Sequence, residues 1–243
     1  PHSIFAKSKK KRKIGFDPNL FTNLTLKKYF KNTCELIPIN ENLIDKIDLD
    51  RKTKKNEQFY KLNAKITGEN VSSKIQKIIN ILKKRKIDNI FITAPENVAW
   101  LLNIRGKDNP NSPIPNSRVI ITKNKKIYFF SKLNKISEIK KKFINQKILF
   151  YEEDKLFEIL RSIKPGSFCI DGKTCSVFNE EIIKSSFIIK ERNDFIYNLK
   201  SLKNKTEIKN MIKAHIEDGV ALTKFLYWIK NLKKINLTEQ KIE

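Results

Sequence analysis

Short apolar runs alternate with amphipathic segments between residues 72 and 190, and this alternation constrains the fold more than any other feature of the chain. Strands are predicted at residues 89–93, 118–122, 127–130, 148–151, 168–171 and 187–190. Helices are predicted to begin at Ser72 or Ser73, Pro95, Asp154 and Val177. Because a hairpin at residues 123–126 interrupts an otherwise alternating order, the pattern predicts an α/β fold with a mixed sheet flanked by helices. Residues from about 60 to 192 form its complete domain.

The first 48 residues carry signals for a smaller β-α-β unit. Strands are predicted over residues 11–16 and 35–39, with a helix over residues 22–32 between them. Two strands and one helix are too small to bury their own sheet. We therefore expect residues 1–48 to be the C-terminal part of a domain that begins upstream. A charged connector at residues 48–58 leads into the second domain, assigned to residues 49–198.

A long amphipathic helix is predicted from Thr206, after a short helical linker at residues 194–202. Its apolar residues recur at helical spacing as far as Ile229. Another helix is predicted to start at Thr238. Because an apolar stripe needs a partner surface, we expect residues 199–243 to be the incomplete start of a third domain, and the chain to be truncated at both ends.

The formal net charge of +25 is typical of proteins that bind nucleic acid. The positive residues are mostly lysines spread along the whole chain, and the densest cluster, Lys7–Lys13, leads directly into a predicted strand. Specific nucleic-acid interfaces instead concentrate arginine and aromatic residues on one face. We therefore interpret the charge as solvated surface, with a nucleic-acid or anion-binding patch as the alternative.

The cysteines and the hydropathy pattern bear on location. Cys34, Cys169 and Cys175 form no C-x-x-C pair, so the sequence predicts neither a zinc site nor a disulfide framework. No stretch approaches the ~18 consecutive apolar residues of a membrane span, and the lysine-rich start lacks the apolar core of a targeting peptide. We therefore expect a reducing, cytoplasmic location without a membrane partner.

The sequence contains no motif that would make the chain a catalyst by itself. Nucleophile-elbow, phosphate-loop and dinucleotide-binding motifs are absent, and 6 glycines are too few for glycine-built phosphate sites. His215 and Asp218 share a helical face and could share a metal, but no second ligand pair accompanies them. A helix-packing histidine is the preferred interpretation. We predict no catalytic residue and no metal ligand within this sequence.

An apolar run from Ala99 to Ile104 ends on Arg105 and then breaks into a loop that contains Asp108 and three prolines. A guanidinium beside a buried run must find carboxylate or carbonyl partners, because leaving it unpaired costs on the order of several kcal/mol. Asp108 is a natural local partner, and the prolines stiffen the loop. The preferred interpretation is a structural pin. The alternative is that Arg105 and Asp108 reach a substrate terminus or a neighbouring domain's cleft.

Three segments together resemble, in order and spacing, the three-domain Xaa-Pro aminopeptidases, also called aminopeptidase P. They are I-G-F-D-P at residues 14–18, T-A-P-E-N-V-A-W-L-L-N-I-R-G-K-D at residues 93–108, and K-N-K-T-E at residues 203–207 continuing to A-H-I-E-D-G-V-A-L at residues 214–222. The second segment is the most specific. Their shared register over almost the whole chain makes the resemblance stronger than any one motif.

The resemblance implies two creatinase-like N-terminal domains followed by a pita-bread catalytic domain. In that family two manganese ions are held by two aspartates, a histidine and two glutamates, and the resemblance places all five downstream of Glu243. His215 matches a family position that is not a ligand.

The implied activity is removal of the N-terminal residue from short peptides with proline in second position, by a cytoplasmic homodimer. The resemblance implies that this chain would be inactive alone and would supply scaffold, substrate-entrance and dimer surfaces. A related creatinase or prolidase-type hydrolase and a basic α/β binding module are the alternatives.

Overall fold

The computed structural model describes residues 12–30, 34–39, 41–47 and 57–232. Three predicted features lie wholly or mostly outside these ranges. They are the helix start at Thr238, the Lys7–Lys13 cluster and the connector at residues 48–58.

The N-terminal unit has the predicted β-α-β order. Its elements are β1 (Arg12–Phe16), α1 (Asn23–Phe30), β2 (Cys34–Pro38) and α2 (Leu43–Ile47). Strands β1 and β2 pair in parallel. Two backbone hydrogen bonds attach this unit to the domain that follows: Val177 N donates to Phe21 O at 2.8 Å, and Phe178 N donates to Pro18 O at 3.0 Å.

The rest of the described chain contains eight further strands and eight further α-helices. The strands are β3 (Tyr60–Lys61), β4 (Asn89–Ile92), β5 (Ile104–Arg105), β6 (Arg118–Thr122), β7 (Ile127–Phe130), β8 (Ile148–Tyr151), β9 (Ser167–Ile170) and β10 (Ile188–Glu191). The helices are α3 (Ala64–Thr67), α4 (Val71–Lys84), α5 (Pro95–Leu102), α6 (Ser137–Lys140), α7 (Leu156–Ser162), α8 (Val177–Lys184), α9 (Phe195–Ser201) and α10 (Lys205–Lys230). Short 3-10 turns flank α6 and precede α7.

Six of these strands form one mixed sheet in the order β10-β9-β4-β6-β7-β8. Strand β6 runs antiparallel to both of its neighbours, β4 and β7, whereas the other three pairings, β10 with β9, β9 with β4 and β7 with β8, are parallel. The predicted hairpin between β6 and β7 is confirmed. The mixed sheet and the flanking helices confirm the predicted α/β class.

The sheet is covered on both faces because side chains alternate along each strand. Ile90 and Ile92 of β4 belong to one core cluster together with buried residues of α4 and α5. Phe91, between them, belongs to the second cluster with residues of α7 and α8. The result is a three-layer domain whose two cores lie on opposite faces of one sheet.

The start of helix α4 differs from the prediction. Asn70, and not Ser72 or Ser73, is the N-cap, and its side-chain oxygen accepts a hydrogen bond from Ser73 N at 2.8 Å. The helix therefore begins at Val71. Asparagine is among the most favoured N-cap residues, and here it caps the helix in place of the two serines that follow it.

Helix α5 begins at Pro95, as predicted, and ends at Leu102, with Asn103 as its C-cap. Asn103 has a φ of 53°, in the left-handed region where asparagine is tolerated. This conformation turns the chain into β5, which pairs antiparallel with β3. The apolar run therefore breaks at residue 103 because its last members, Ile104 and Arg105, belong to a strand and not to the helix.

Helix α10 confirms the predicted long amphipathic helix and begins at Lys205. Asn204 and Glu207 form a reciprocal capping box at its start. None of its 26 residues is buried. No helix within the described ranges is both long and apolar enough to cross a bilayer.

Candidate functional site

A cleft of about 330 Å³ lies where the three-layer domain meets the first turns of helix α10. Its walls come from the β3–α3 connection, helix α4, the end of α5 with β5, and the start of α10. The lining residues are Leu62, Ile66, Thr67, Lys74, Trp100, Asn103, Arg105, Lys203, Glu207, Asn210 and Met211. The cleft therefore contains Arg105, one of the two residues that the sequence singled out.

Arg105 is fixed by backbone carbonyl groups. Its Nη1 donates to Ala99 O at 3.2 Å and to Ile104 O at 2.8 Å. Carbonyl partners were one of the two kinds that the sequence required. Burial lowers the pKa of the Arg105 guanidinium, although arginine stays charged at every physiological pH.

Asp108 anchors the loop through contacts with Asn116 and Lys135. One carboxylate oxygen accepts from Asn116 N at 2.6 Å, and the other pairs with Lys135 Nζ. Lys135, rather than the predicted Arg105, supplies this ion pair. Both side chains of the pair are largely buried, so the loop is anchored to the turn at residues 133–135. A substrate contact of Arg105 or Asp108 stays a prediction.

Lys74 is a functional candidate that sequence reasoning missed. The residue is 1% exposed, and its Nζ donates to Trp100 O at 2.8 Å and to Asn103 Oδ1 at 2.7 Å. The same Nζ lies 4.0 Å from the centroid of the Trp100 ring, a cation–π contact. Burial lowers the pKa of Lys74 to about 8. Its signal in the sequence was its place on the buried face of α4, between Val71 and Ile78.

The first turn of α10 is hydrogen-bonded to the same wall. Trp100 Nε1 donates to Glu207 Oε1 at 3.3 Å, and Glu207 Oε2 accepts from Asn204 N at 2.9 Å. Asn204 Nδ2 in turn donates to Thr67 O at 2.9 Å, directly over Gly68. These contacts fix the start of the long helix against α3 and α5. The cleft combines cations, a carboxylate, an indole and apolar walls, a lining that suits the binding of a small ligand.

A second polar cluster joins helices α5 and α9. Asp194 is buried and accepts from Asn97 Nδ2 at 2.7 Å and from Ile196 N at 2.9 Å. Its own backbone N donates to Asp171 Oδ2 at 2.9 Å. Burial raises the pKa of the Asp194 carboxyl group to about 6. Because its carboxylate caps α9 and its neighbours are bonded to one another, this cluster is structural.

The remaining candidate nucleophiles and ligands are not assembled into a site. Burial raises the pKa of Cys169 to about 11 and that of Cys175 to about 12, so both thiols stay protonated. His215 and Asp218 are exposed on α10. Across the described ranges, no group of three or more His, Cys, Asp or Glu side chains is placed to hold a metal ion.

Comparison with known proteins identifies the fold. A family model described as the Creatinase/Prolidase N-terminal domain matches residues 50–207. The chain belongs to this family. It is also 31% identical over 235 residues to Xaa-Pro aminopeptidase 1 of Dictyostelium discoideum, a match that covers 91% of this chain and 37% of that protein. The probable Xaa-Pro aminopeptidase P of Laccaria bicolor is 27% identical over 230 residues, covering 89% of this chain and 35% of its own length.

A solved structure gives the same result. The X-prolyl aminopeptidase from Caenorhabditis elegans, described as a cytosolic enzyme with a di-nuclear active site, superposes with a TM-score of 0.80 at 25% identity. The match covers 93% of this chain and 38% of that one. The chain therefore spans a little over a third of the length of these relatives. The predicted resemblance to Xaa-Pro aminopeptidases and the creatinase-like fold are both confirmed.

Proposed function

We propose that this chain is part of a metalloaminopeptidase that removes the N-terminal residue from peptides with proline in second position. The observation that carries the proposal is the extent of the structural match, which includes 93% of the chain at a TM-score of 0.80. The matched protein is an X-prolyl aminopeptidase, and the curated relatives bear the same activity in their names.

The proposed division of labour follows the domain boundaries predicted from the sequence. Residues 1–48 end a first creatinase-like domain, residues 49–198 form a second, and residues 199–243 open the catalytic domain. The middle part has two covered sheet faces, which supports a scaffold role. The unburied apolar residues of α10 support a role as the surface on which the catalytic domain packs.

Two manganese ions are the proposed cofactors of the whole enzyme. The di-nuclear site of the Caenorhabditis elegans protein supports a two-metal enzyme. The described residues of this chain do not fit such a centre, because they bring no three potential ligands together. We therefore assign no metal ligand to them and no step of the reaction.

The loop that follows α5 is the part of this chain for which we propose a place near the substrate. The Asp108–Lys135 pair and the carbonyl contacts of Arg105 support a rigid wall. A wall of this kind would narrow the entrance to short peptides. We also propose a homodimer and a cytoplasmic location; the description of the Caenorhabditis elegans enzyme as cytosolic supports the latter.

The test compares this chain with a longer protein in which it is followed by a catalytic domain. Both are assayed with manganese on an Arg-Pro-Pro tripeptide, on Xaa-Pro dipeptides and on creatine. We expect the longer protein alone to release the first residue of the tripeptide. Cleavage restricted to dipeptides or to creatine would assign a prolidase or creatinase instead. Sedimentation of the longer protein tests the dimer.

A further inference from the structure

We propose that the cleft at the start of helix α10 binds the free C-terminal carboxylate of a peptide, and that Arg105 is the residue that recognises it. The proposal concerns binding by this chain. It does not rest on the proposed peptidase activity, and either can fail without the other.

Arg105 has hydrogen-bond donors left over for a ligand. A guanidinium has five N–H groups, and both hydrogens of Nη1 are used by the carbonyl oxygens of Ala99 and Ile104. The N–H of Nε and the two of Nη2 have no hydrogen-bond partner among the described residues. These atoms form the planar edge that matches the two oxygens of a carboxylate. The held Nη1 keeps that edge in one orientation on the wall of the cleft.

The charges in the cleft favour one added anion. Its lining contains three cations, Lys74, Arg105 and Lys203, and one carboxylate, Glu207. Both oxygens of Glu207 already accept hydrogen bonds, from Trp100 Nε1 and from the backbone of the helix cap. These groups leave a formal excess of two positive charges, so a bound carboxylate is attracted and one positive charge remains. The planar edge of Arg105, and not the charge count, favours a carboxylate over a tetrahedral phosphate.

Glu69 also lies near Lys74 but is used elsewhere. Its carboxylate accepts from Ser73 Oγ at 2.5 Å and from Lys77 Nζ at 2.8 Å. Lys74 itself makes its hydrogen bonds to neutral oxygens of Trp100 and Asn103. The carboxylates of Glu207 and Glu69 already attract the buried ammonium, and Lys74 adds its positive charge to the potential at the neighbouring guanidinium.

The apolar walls specify what carries the carboxylate. Leu62, Ile66 and Met211 line the cleft together with the Trp100 indole. The volume of about 330 Å³ is at the small end of the range for ligand sites, so it suits a terminal residue and not a long segment. A C-terminal residue with an aliphatic side chain fits both parts of the cleft, because the carboxylate and the side chain leave the same carbon atom.

The fluorescence of Trp100 reports binding directly. The sequence contains 2 tryptophans, so Trp228→Phe leaves Trp100 as the single emitter. In that background the full chain is titrated with Ala-Ala-Leu as the free acid and, in parallel, as its C-terminal amide. We expect a saturable change with the acid and binding at least about tenfold weaker with the amide, the loss expected for one charge-assisted hydrogen-bonded pair.

Variants of Arg105 test the assignment of the residue. Arg105→Gln should weaken binding of the acid by about tenfold or more, and Arg105→Lys, which keeps the charge and loses the planar edge, should fall between. Lys65→Gln is the matched control, because it removes one positive charge from an exposed position on α3 that does not line the cleft. Its binding should match the parent chain. If circular dichroism shows that Arg105→Gln does not fold, Arg105→Lys and the comparison of acid with amide test the role of Arg105 instead.

Four results would overturn the proposal. Equal binding of the acid and the amide would show that the cleft does not recognise the C-terminal carboxylate. Binding of the acid by the Arg105 variants as tightly as by the parent chain would show that Arg105 is not the recognising residue. If the acid causes no saturable change in Trp100 emission, the cleft does not bind the peptide. An amidated peptide with an internal glutamate that binds as well as the free acid would assign a side-chain carboxylate and would contradict a C-terminal one.

Discussion

The three-layer domain and helix α10 are built from similar apolar residues but bury them to opposite extents. Phe129, on strand β7 of the mixed sheet, is 0% exposed, whereas Ile216, in the middle of α10, is 64% exposed. Both segments have the periodicity that their secondary structure requires. Periodicity therefore decides that a strand or helix forms, and only the presence of a facing surface decides whether its apolar side contributes to stability.

Core truncation should show the largest difference between the two regions. Phe129→Ala should lower the free energy of unfolding by about 3–5 kcal/mol, because it leaves a cavity between packed layers. Ile216→Ala should change it by less than about 0.5 kcal/mol in this chain, since the side chain is already in water. Urea titrations of both variants measure this. A large loss for Ile216→Ala would mean that α10 has a partner surface in solution.

The buried ammonium of Lys74 should make the stability of the domain depend on pH. Its folded pKa of about 8 lies below the ordinary value of 10.5, so between these values the unfolded chain binds more protons. The free energy of unfolding contributed by Lys74 is therefore lowest below pH 8 and rises up to pH 10.5. The expected rise is on the order of 3 kcal/mol.

Urea titrations of the parent chain and Lys74→Met at several pH values isolate this contribution. The rise should be present in the parent and absent from Lys74→Met. Lys84→Met, at an exposed position of the same helix, should keep it. Parallel pH profiles for the parent and Lys74→Met would contradict the assignment.

Removing the N-cap of α10 should loosen the helix without affecting the sheet. Asn204→Ala removes the hydrogen bond to Glu207 N and the one to Thr67 O, at a cost of about 1 kcal/mol to the start of the helix. Hydrogen exchange should accelerate at the first amides of α10 and stay unchanged in β7. Asn231→Ala, at the other end of the helix, is the control and should leave the first turn protected.

A glycine in α10 gives the smallest effect and the sharpest test of coverage. No atom lies within 4 Å of a Cβ placed on Gly219, so Gly219→Ala should stabilise the helix by about 0.5–1 kcal/mol. In a longer protein where another surface covers this face, the gain should shrink or reverse. Thermal unfolding of both proteins, followed by far-ultraviolet circular dichroism, measures it. Equal gains in the two would show that position 219 stays uncovered.

The sequence predicted the six-stranded sheet because each strand is an apolar run bounded by turn residues. It did not predict β3 and β5, since two residues such as Tyr60 and Lys61 are too few to show a period. The N-cap of α4 was assigned to the wrong residue because Asn70, Ser72 and Ser73 can all accept the capping bond. The side-chain chemistry shows which residues can cap the helix, and the backbone conformation determines which of them does so.

The candidate cleft was predictable only in part. Arg105 stood out because a charge follows an apolar run, and its need for carbonyl partners followed from the cost of burying a charge. The pairing of Asp108 with Lys135 joins residues 27 positions apart, which spacing alone does not reveal. Lys74 looked like one of many lysines, although its position among buried residues of α4 was a readable signal.

Gly68 has a consequence that reaches beyond one molecule. It ends α3 with a φ of 72°, and a Cβ there would fall 2.6 Å from Cγ of Asn204. One site thus meets two demands at once: a backbone that only glycine adopts easily, and room for the side chain that seats the long helix. Residues 68 and 204 should consequently covary in an alignment of homologues, and a lineage that acquires a side chain at the first will have changed the second.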